Sequence, residues 1–252
     1  MIVVGDTTPW GDRARRLEQI ARQLETVGQP LLYAGIAGWA LLLALLWLRI
    51  DQQTIAIVLT LAALLCLAGL WLPRMAQQLE AEAAGWTARL LVEGELRGEL
   101  EGWLDGSWTF FRPIMPEREQ SAEPLDGVLL GPGGCFVLRL CQMPGTVRNE
   151  GETWQQHRAD GQWRGLAFNP THEAAQQAER LARALEREGV AVTLLPRIVL
   201  SSAGHLLAEG PDVPVWWPAQ PDGMRDDIGP EGEARISAEL LARCRTLLGA
   251  WI

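Results

Sequence analysis

Residues 125–141 read Leu125-Asp126-Gly127-Val128-Leu129-Leu130-Gly131-Pro132-Gly133-Gly134-Cys135-Phe136-Val137-Leu138-Arg139-Leu140-Cys141. Two apolar runs flank a Gly-Pro-Gly-Gly turn, which predicts an antiparallel hairpin of strands Val128–Leu130 and Cys135–Leu140. Strand side chains alternate between faces, so Arg139 and Cys141 share a face with Cys135 and Val137.

Downstream of the hairpin, strands are expected around Thr146–Arg148 and Thr153–His157, and Asp160-Gly161 turns the chain into Gln162–Ala167. Asn169-Pro170 opens a helix through Glu188, with Ala174, Ala178, Leu181, Ala182 and Leu185 on one face and Gly189 ending it. Val190–Leu200 reads as a buried strand and Val213–Trp217 as a second, both extending the central sheet. Pro218 to Gly232 reads as loose, and Glu233–Trp251 as the last helix. Upstream, Met75 to about Leu104 has a helical stripe of Leu90, Leu91, Leu96, Leu100 and Leu104, with a break expected near Glu93–Gly94. A Pro-containing connection, Arg112 to Pro124, leads into the hairpin. This order of helix, strands, helix, strands and helix predicts an α/β (α+β) sandwich.

Further upstream the pattern changes. Leu31–Leu48 and Thr54–Leu72 are uncharged apolar runs of 18 and 19 residues. Each spans roughly 27–29 Å as a helix, close to the ~30 Å hydrocarbon core. Only residues 49–53 separate them, so they are expected to cross one bilayer as a hairpin, with Trp47 and Trp71 near its interfaces. Arg13, Arg15, Arg16 and Arg22 precede the first run, Arg74 and Arg89 follow the second, and the connecting loop holds only Arg49. Both termini are therefore expected in the cytoplasm and the anchor in the inner (cytoplasmic) membrane. Neither run contains Asp, Glu, Lys, Arg or His, which leaves no proton relay or ion path in the span. Ahead of it, Leu17, Ile20, Leu24 and Val27 recur at helical spacing opposite Arg15, Arg16 and Arg22. That face suits either the headgroup region or packing against the soluble domain. The expected organisation is an amphipathic cytoplasmic segment at 1–30, the membrane hairpin at 31–73, a helical linker at 74–92 and a soluble domain at 93–252.

Charge narrows the function. Residues 1–74 carry 6 Arg against 5 acids, whereas residues 75–252 carry 16 Arg against 26 acids. So acidic a soluble part repels polyanions at long range and disfavours broad nucleic-acid binding. Every basic residue is Arg, so no lysine amine is present for catalysis. The four cysteines form no C-x-x-C pair and the three histidines (His157, His172, His205) are scattered, which indicates neither a zinc site nor a disulfide framework. The Gly131–Gly134 turn lacks the following helix and Lys-Ser/Thr of a phosphate loop, and Ser201-Ser202 lacks a nucleophile-elbow motif.

One ordered set of residues carries a resemblance. Gly94-x-x-x-Gly98-Glu99 leads to Leu125-Asp126-Gly127-Val128, then Gly131 to Leu138, Gly145-x-Val147, Trp154, and Asn169-Pro170 before a long helix. Over roughly Glu93 to Ser202 the chain resembles the nuclease-related domain (NERD) family. The resemblance implies a restriction-endonuclease-like fold and a Mg²⁺ site built from a helix Glu, an Asp at the hairpin's start and an E-x-K on its second strand. Carboxylates there would hold the metal, which polarises a phosphate and lowers the pKa of its water. Glu99 and Asp126 match the first two places, but the E-x-K place reads Arg139-Leu140-Cys141. A cation then stands where a ligand belongs, and a soft thiol stands where an ammonium belongs. Asp126 can pair with Arg139 across the hairpin, and Glu173 occupies the place of a Gln that the family usually carries after Asn-Pro.

The expectation is a catalytically inactive, membrane-anchored NERD-like pseudoenzyme that works as a binding or scaffold module for a protein partner and needs no cofactor. The alternative is a Mg²⁺-dependent nuclease, acting on DNA or RNA, that has rebuilt its site from Glu99, Asp126 and a further acid such as Glu150 or Glu152.

Overall fold

A computed structural model describes residues 1–6, 8–47, 51–116, 123–150, 152–201, 206–209, 212–229 and 236–252. In chain order the elements begin with β1 (Ile2–Val4), α1 (Thr8–Trp47), α2 (Gln52–Glu101), β2 (Thr109–Phe111), β3 (Gly127–Gly131) and β4 (Gly134–Gln142). They continue with β5 (Val147–Glu150), β6 (Thr153–His157), β7 (Trp163–Gly165), α3 (Pro170–Arg187), β8 (Leu194–Ser201), β9 (Leu206–Glu209), β10 (Val215–Trp216), α4 (Asp222–Ile228) and α5 (Ala238–Ala250). The chain forms two compact units, residues 9–87 and residues 1–8 with 88–252.

The first unit is a helical hairpin. With 40 and 50 residues, α1 and α2 are about 60 and 75 Å long, well beyond the ~30 Å of a hydrocarbon core. Both are long and apolar enough to cross a membrane, and only 17% and 11% of their apolar windows are buried, unlike the core helices of a soluble protein.

Their contact follows a seven-residue repeat of small side chains. Ala14, Ala21, Gly28, Gly35 and Leu42 of α1 are buried, as are Ala62, Gly69, Ala76 and Ala83 of α2. A strict heptad repeat keeps one seam facing a partner helix, and small residues on that seam let the backbones approach closely. A Cβ on Gly35 would lie 2.5 Å from the Cys66 sulfur, and one on Gly69 would lie 2.6 Å from the backbone of Leu32. At the far end Trp10 and Trp86 pack with ring centroids 5.9 Å apart, and Arg13 bonds Glu82 at 3.3 Å.

The helix of residues 8–30 belongs to α1. It continues into the apolar run and packs on α2 through Ala14, Ala21 and Gly28, leaving Ile20 and Val27 about half exposed. Residues 2–4, assigned to the same segment, instead form β1. The expected break near Glu93–Gly94 is also absent, because α2 runs unbroken to Glu101. Buried Val92, Leu96 and Leu100 outweigh the ~1 kcal/mol that each helix glycine costs.

The second unit holds a six-stranded mixed sheet in the order β1-β2-β3-β4-β8-β10 and a four-stranded one in the order β7-β6-β5-β9. The β3–β4 hairpin forms as the sequence predicts, with Val128 opposite Val137 and Leu130 opposite Cys135. Its turn needs glycine at Gly131, where a Cβ would sit 2.2 Å from the Trp108 ring that crosses the hairpin. β4 pairs in parallel along the whole of β8, and α3 and α5 cover this part of the sheet with Leu181, Leu185, Leu241 and Leu248 against Val128, Cys135 and Val137.

Besides β1, three elements escape the sequence reading. β2 and β9 are too short to show a period, and α4 falls within the stretch read as loose. The strands read from Val190 and Val213 begin at Leu194 and Val215. Leu48 at the end of the first apolar run, Arg49 and Ile50 of the loop that follows, Ser202, His205 and the Glu233 start expected for the last helix lie outside the described residues.

Candidate functional site

The site sits at the mouth of the β3–β4 hairpin, where α3 crosses it. Asp126, the residue before β3, is completely buried. Its Oδ2 accepts from the Leu140 backbone N–H at 2.9 Å and from Arg139 Nη1 at 2.9 Å. Its Oδ1 faces Arg89 Nη1 of α2 at 3.7 Å. Arg139 donates from Nε to Glu173 Oε2 at 2.9 Å and reaches the same oxygen from Nη2 at 2.7 Å. Arg89 in turn holds Glu123 at 2.7 Å. A guanidinium therefore sits between two carboxylates, one from the hairpin and one from the helix.

Local sequence explains how Glu173 reaches that place. Asn169 caps α3, its side-chain oxygen accepting from the His172 N–H at 3.2 Å while its amide donates to the Glu152 carbonyl at 3.0 Å. Pro170 follows at the first helical position, where its missing N–H costs nothing. Trp154 donates from Nε1 to Thr171 Oγ1 at 2.9 Å, tying the small sheet to the same turn. Asn169, Pro170 and Trp154 thus orient α3.

Electrostatics lock the arrangement. Burial disfavours the Arg139 charge, but the Asp126 and Glu173 carboxylates overcome it and raise its pKa. The guanidinium is permanently charged. Burial pushes the Cys141 thiol up to about 12 despite the neighbouring Arg139, so it remains a neutral thiol and not a thiolate ligand.

Other residues singled out in the sequence go elsewhere. Glu99 pairs with Arg225 at 2.9 Å. It lies ten residues beyond Arg89 on α2, about 15 Å along the axis. Glu93, nearer Arg89, is engaged by Arg112, and burial pushes its carboxyl up while Arg112 pulls it back. Glu150 pairs with Arg148 on the four-stranded sheet at 3.1 Å, and Glu152 is exposed. Among the described residues no three His, Cys, Asp or Glu side chains are placed to hold a metal ion.

The donor set therefore does not suit Mg²⁺, which demands near-octahedral oxygen ligation at about 2.0–2.1 Å. Asp126 offers one carboxylate already shared between two guanidiniums, and Glu173 is claimed by one of them.

Arg89, Glu123 and Arg180 were not picked out in sequence as site residues. For α3 a signal existed: Glu173, Gln176, Gln177 and Arg180 recur at i, i+3, i+4 and i+7 beside the apolar stripe. Arg89 and Glu123 carry no such mark, because only tertiary packing brings them to Asp126.

A mixed sheet built on this hairpin and covered by helices, with a buried Asp at its mouth, defines a domain of the restriction-endonuclease-like class. Residues 84–201 match the family model described as nuclease-related domain, and this part of the chain is similar to that (NERD) family. No curated protein and no solved structure matches the chain.

Proposed function

We propose that this is a membrane-anchored NERD protein whose domain has no nuclease activity and serves as a binding or scaffold module at the cytoplasmic face of the inner membrane. The observation that carries the reading is the Arg139 guanidinium, held between Asp126 and Glu173 where a nuclease of this class would hold a divalent cation. A metal entering there would have to displace a fixed positive charge and strip two ion pairs, and no lysine exists to take over the amine's part. The two long apolar helices supply the anchor. The arginines at their outer ends favour both termini on the cytoplasmic side. The acidic domain favours a protein partner over nucleic acid.

The test is a Mg²⁺- and Mn²⁺-dependent cleavage assay on the full chain in detergent, with DNA and RNA, beside Asp126→Ala. No cleavage above background is expected from either protein. Cleavage by the wild type that Asp126→Ala abolishes would overturn the reading and leave a rebuilt nuclease.

A further inference from the structure

Beside the Arg139 ion pairs lies a cleft of ≈ 120 Å³ bordered by Glu123, Arg139, Glu173, Gln177 and Arg180. Two of its buried polar atoms have no partner among the described residues. Gln177 is only 7% exposed and its Oε1 is unsatisfied, and Nη2 of Arg180, one turn further along α3, is unsatisfied as well. Buried polar groups are ordinarily hydrogen-bonded, so an orphaned acceptor and an orphaned donor on two residues that border one cleft point to a ligand there.

Charge and proton inventory specify the ligand. Arg139 is occupied by Asp126 and Glu173, and Arg89 by Glu123 and Asp126. Arg180 is the bordering cation without an acid among the described residues, which calls for an anionic oxygen. The Gln177 oxygen accepts only, so the same ligand must also present a proton. A carboxylate or a sulfate carries the charge without the proton. A phosphoryl group carries both near neutrality, since its second pKa is about 6. Glu123 and Glu173 on the rim oppose a second negative charge and favour the monoprotonated form. The cleft has room for one phosphoryl group, with whatever it esterifies lying outside.

We propose that this cleft binds a monoprotonated phosphoryl group, with Arg180 donating to its anionic oxygen and Gln177 accepting from its hydroxyl. The proposal rests on the binding-module reading and names the ligand chemistry. Free phosphate and the terminal phosphate of a nucleotide share that chemistry.

The experiment uses the full chain in detergent and phosphate-free buffer at pH 6, followed by thermal unfolding and ³¹P NMR. Inorganic phosphate should bind saturably, sulfate at least tenfold more weakly, and Arg180→Gln should weaken phosphate at least tenfold. A nucleoside 5′-monophosphate that binds more tightly than phosphate, while its nucleoside is silent, supports the site and identifies a nucleotide source; equal binding supports it with free phosphate as the source. Absence of saturable phosphate binding, equal binding of sulfate, or an unchanged affinity in Arg180→Gln overturns the proposal. Cleavage does not enter these readouts: an active nuclease that binds phosphate this way sinks only the inactive reading. A silent protein that ignores phosphate sinks only this one.

Discussion

Arg139→Ala is expected to destabilise the sheet domain by about 3–5 kcal/mol, the usual cost of removing one partner from a buried ion pair. Asp126 is fully buried, and losing Arg139 leaves its charge facing only Arg89 at 3.7 Å, while Glu173 loses the guanidinium it holds at 2.7 Å. Urea unfolding of the full chain in detergent measures the loss as a shift in midpoint. The double replacement Asp126→Leu with Arg139→Met should recover part of it, because it removes the fully buried carboxylate together with its guanidinium, while the Leu140 N–H and Glu173 stay without their partners. Double and single variants that are equally unstable would mean that packing, and not charge pairing, holds the hairpin mouth.

The helical hairpin should be equally intolerant of volume at its seam. Gly69→Leu drives a side chain into the Leu32 backbone, where no rotamer can relieve a 2.6 Å approach, and Gly35→Leu meets Cys66 at 2.5 Å. Overpacking of this kind typically costs about 1–3 kcal/mol, and a backbone obstacle places these variants at the upper end. Gly85→Leu, on the same helix pair, meets nothing within 4 Å and is the control; it should be neutral or slightly stabilising. The SDS concentration at which the hairpin unfolds reads the difference. Equal midpoints for Gly69→Leu and Gly85→Leu would show that α1 and α2 do not approach through their heptad glycines.

What the sequence made legible follows from how local each signal is. The Gly131–Gly134 turn between two apolar runs is a local pattern, and β3 and β4 lie where it places them. Asn169-Pro170 is a local cap, and α3 begins there. The heptad of Ala14, Ala21, Gly28 and Gly35 is equally local, but its small residues are weakly hydrophobic, so the larger Leu17, Ile20, Leu24 and Val27 dominate the apolar pattern and point to a neighbouring face.

At the site, alternation along β4 was enough to aim Arg139 at the place opposite Asp126. Glu99 illustrates the limit: its spacing fits a family motif, yet its helix turns it to Arg225, a residue 126 positions away. In the sequence Glu173 stands out only as a departure from the Gln of the family pattern. Its part in holding Arg139 depends on the crossing of α3 over the hairpin, which no local pattern encodes.

The most direct measurement is Mn²⁺ binding to the full chain, read by electron paramagnetic resonance, in wild type and Asp126→Ala. With Arg139 in the cation's place, the wild type should bind no Mn²⁺ that the substitution removes, and the two titrations should superimpose. One equivalent of Mn²⁺ bound by the wild type and lost in Asp126→Ala would contradict this, and would mean that the guanidinium yields its place to a metal.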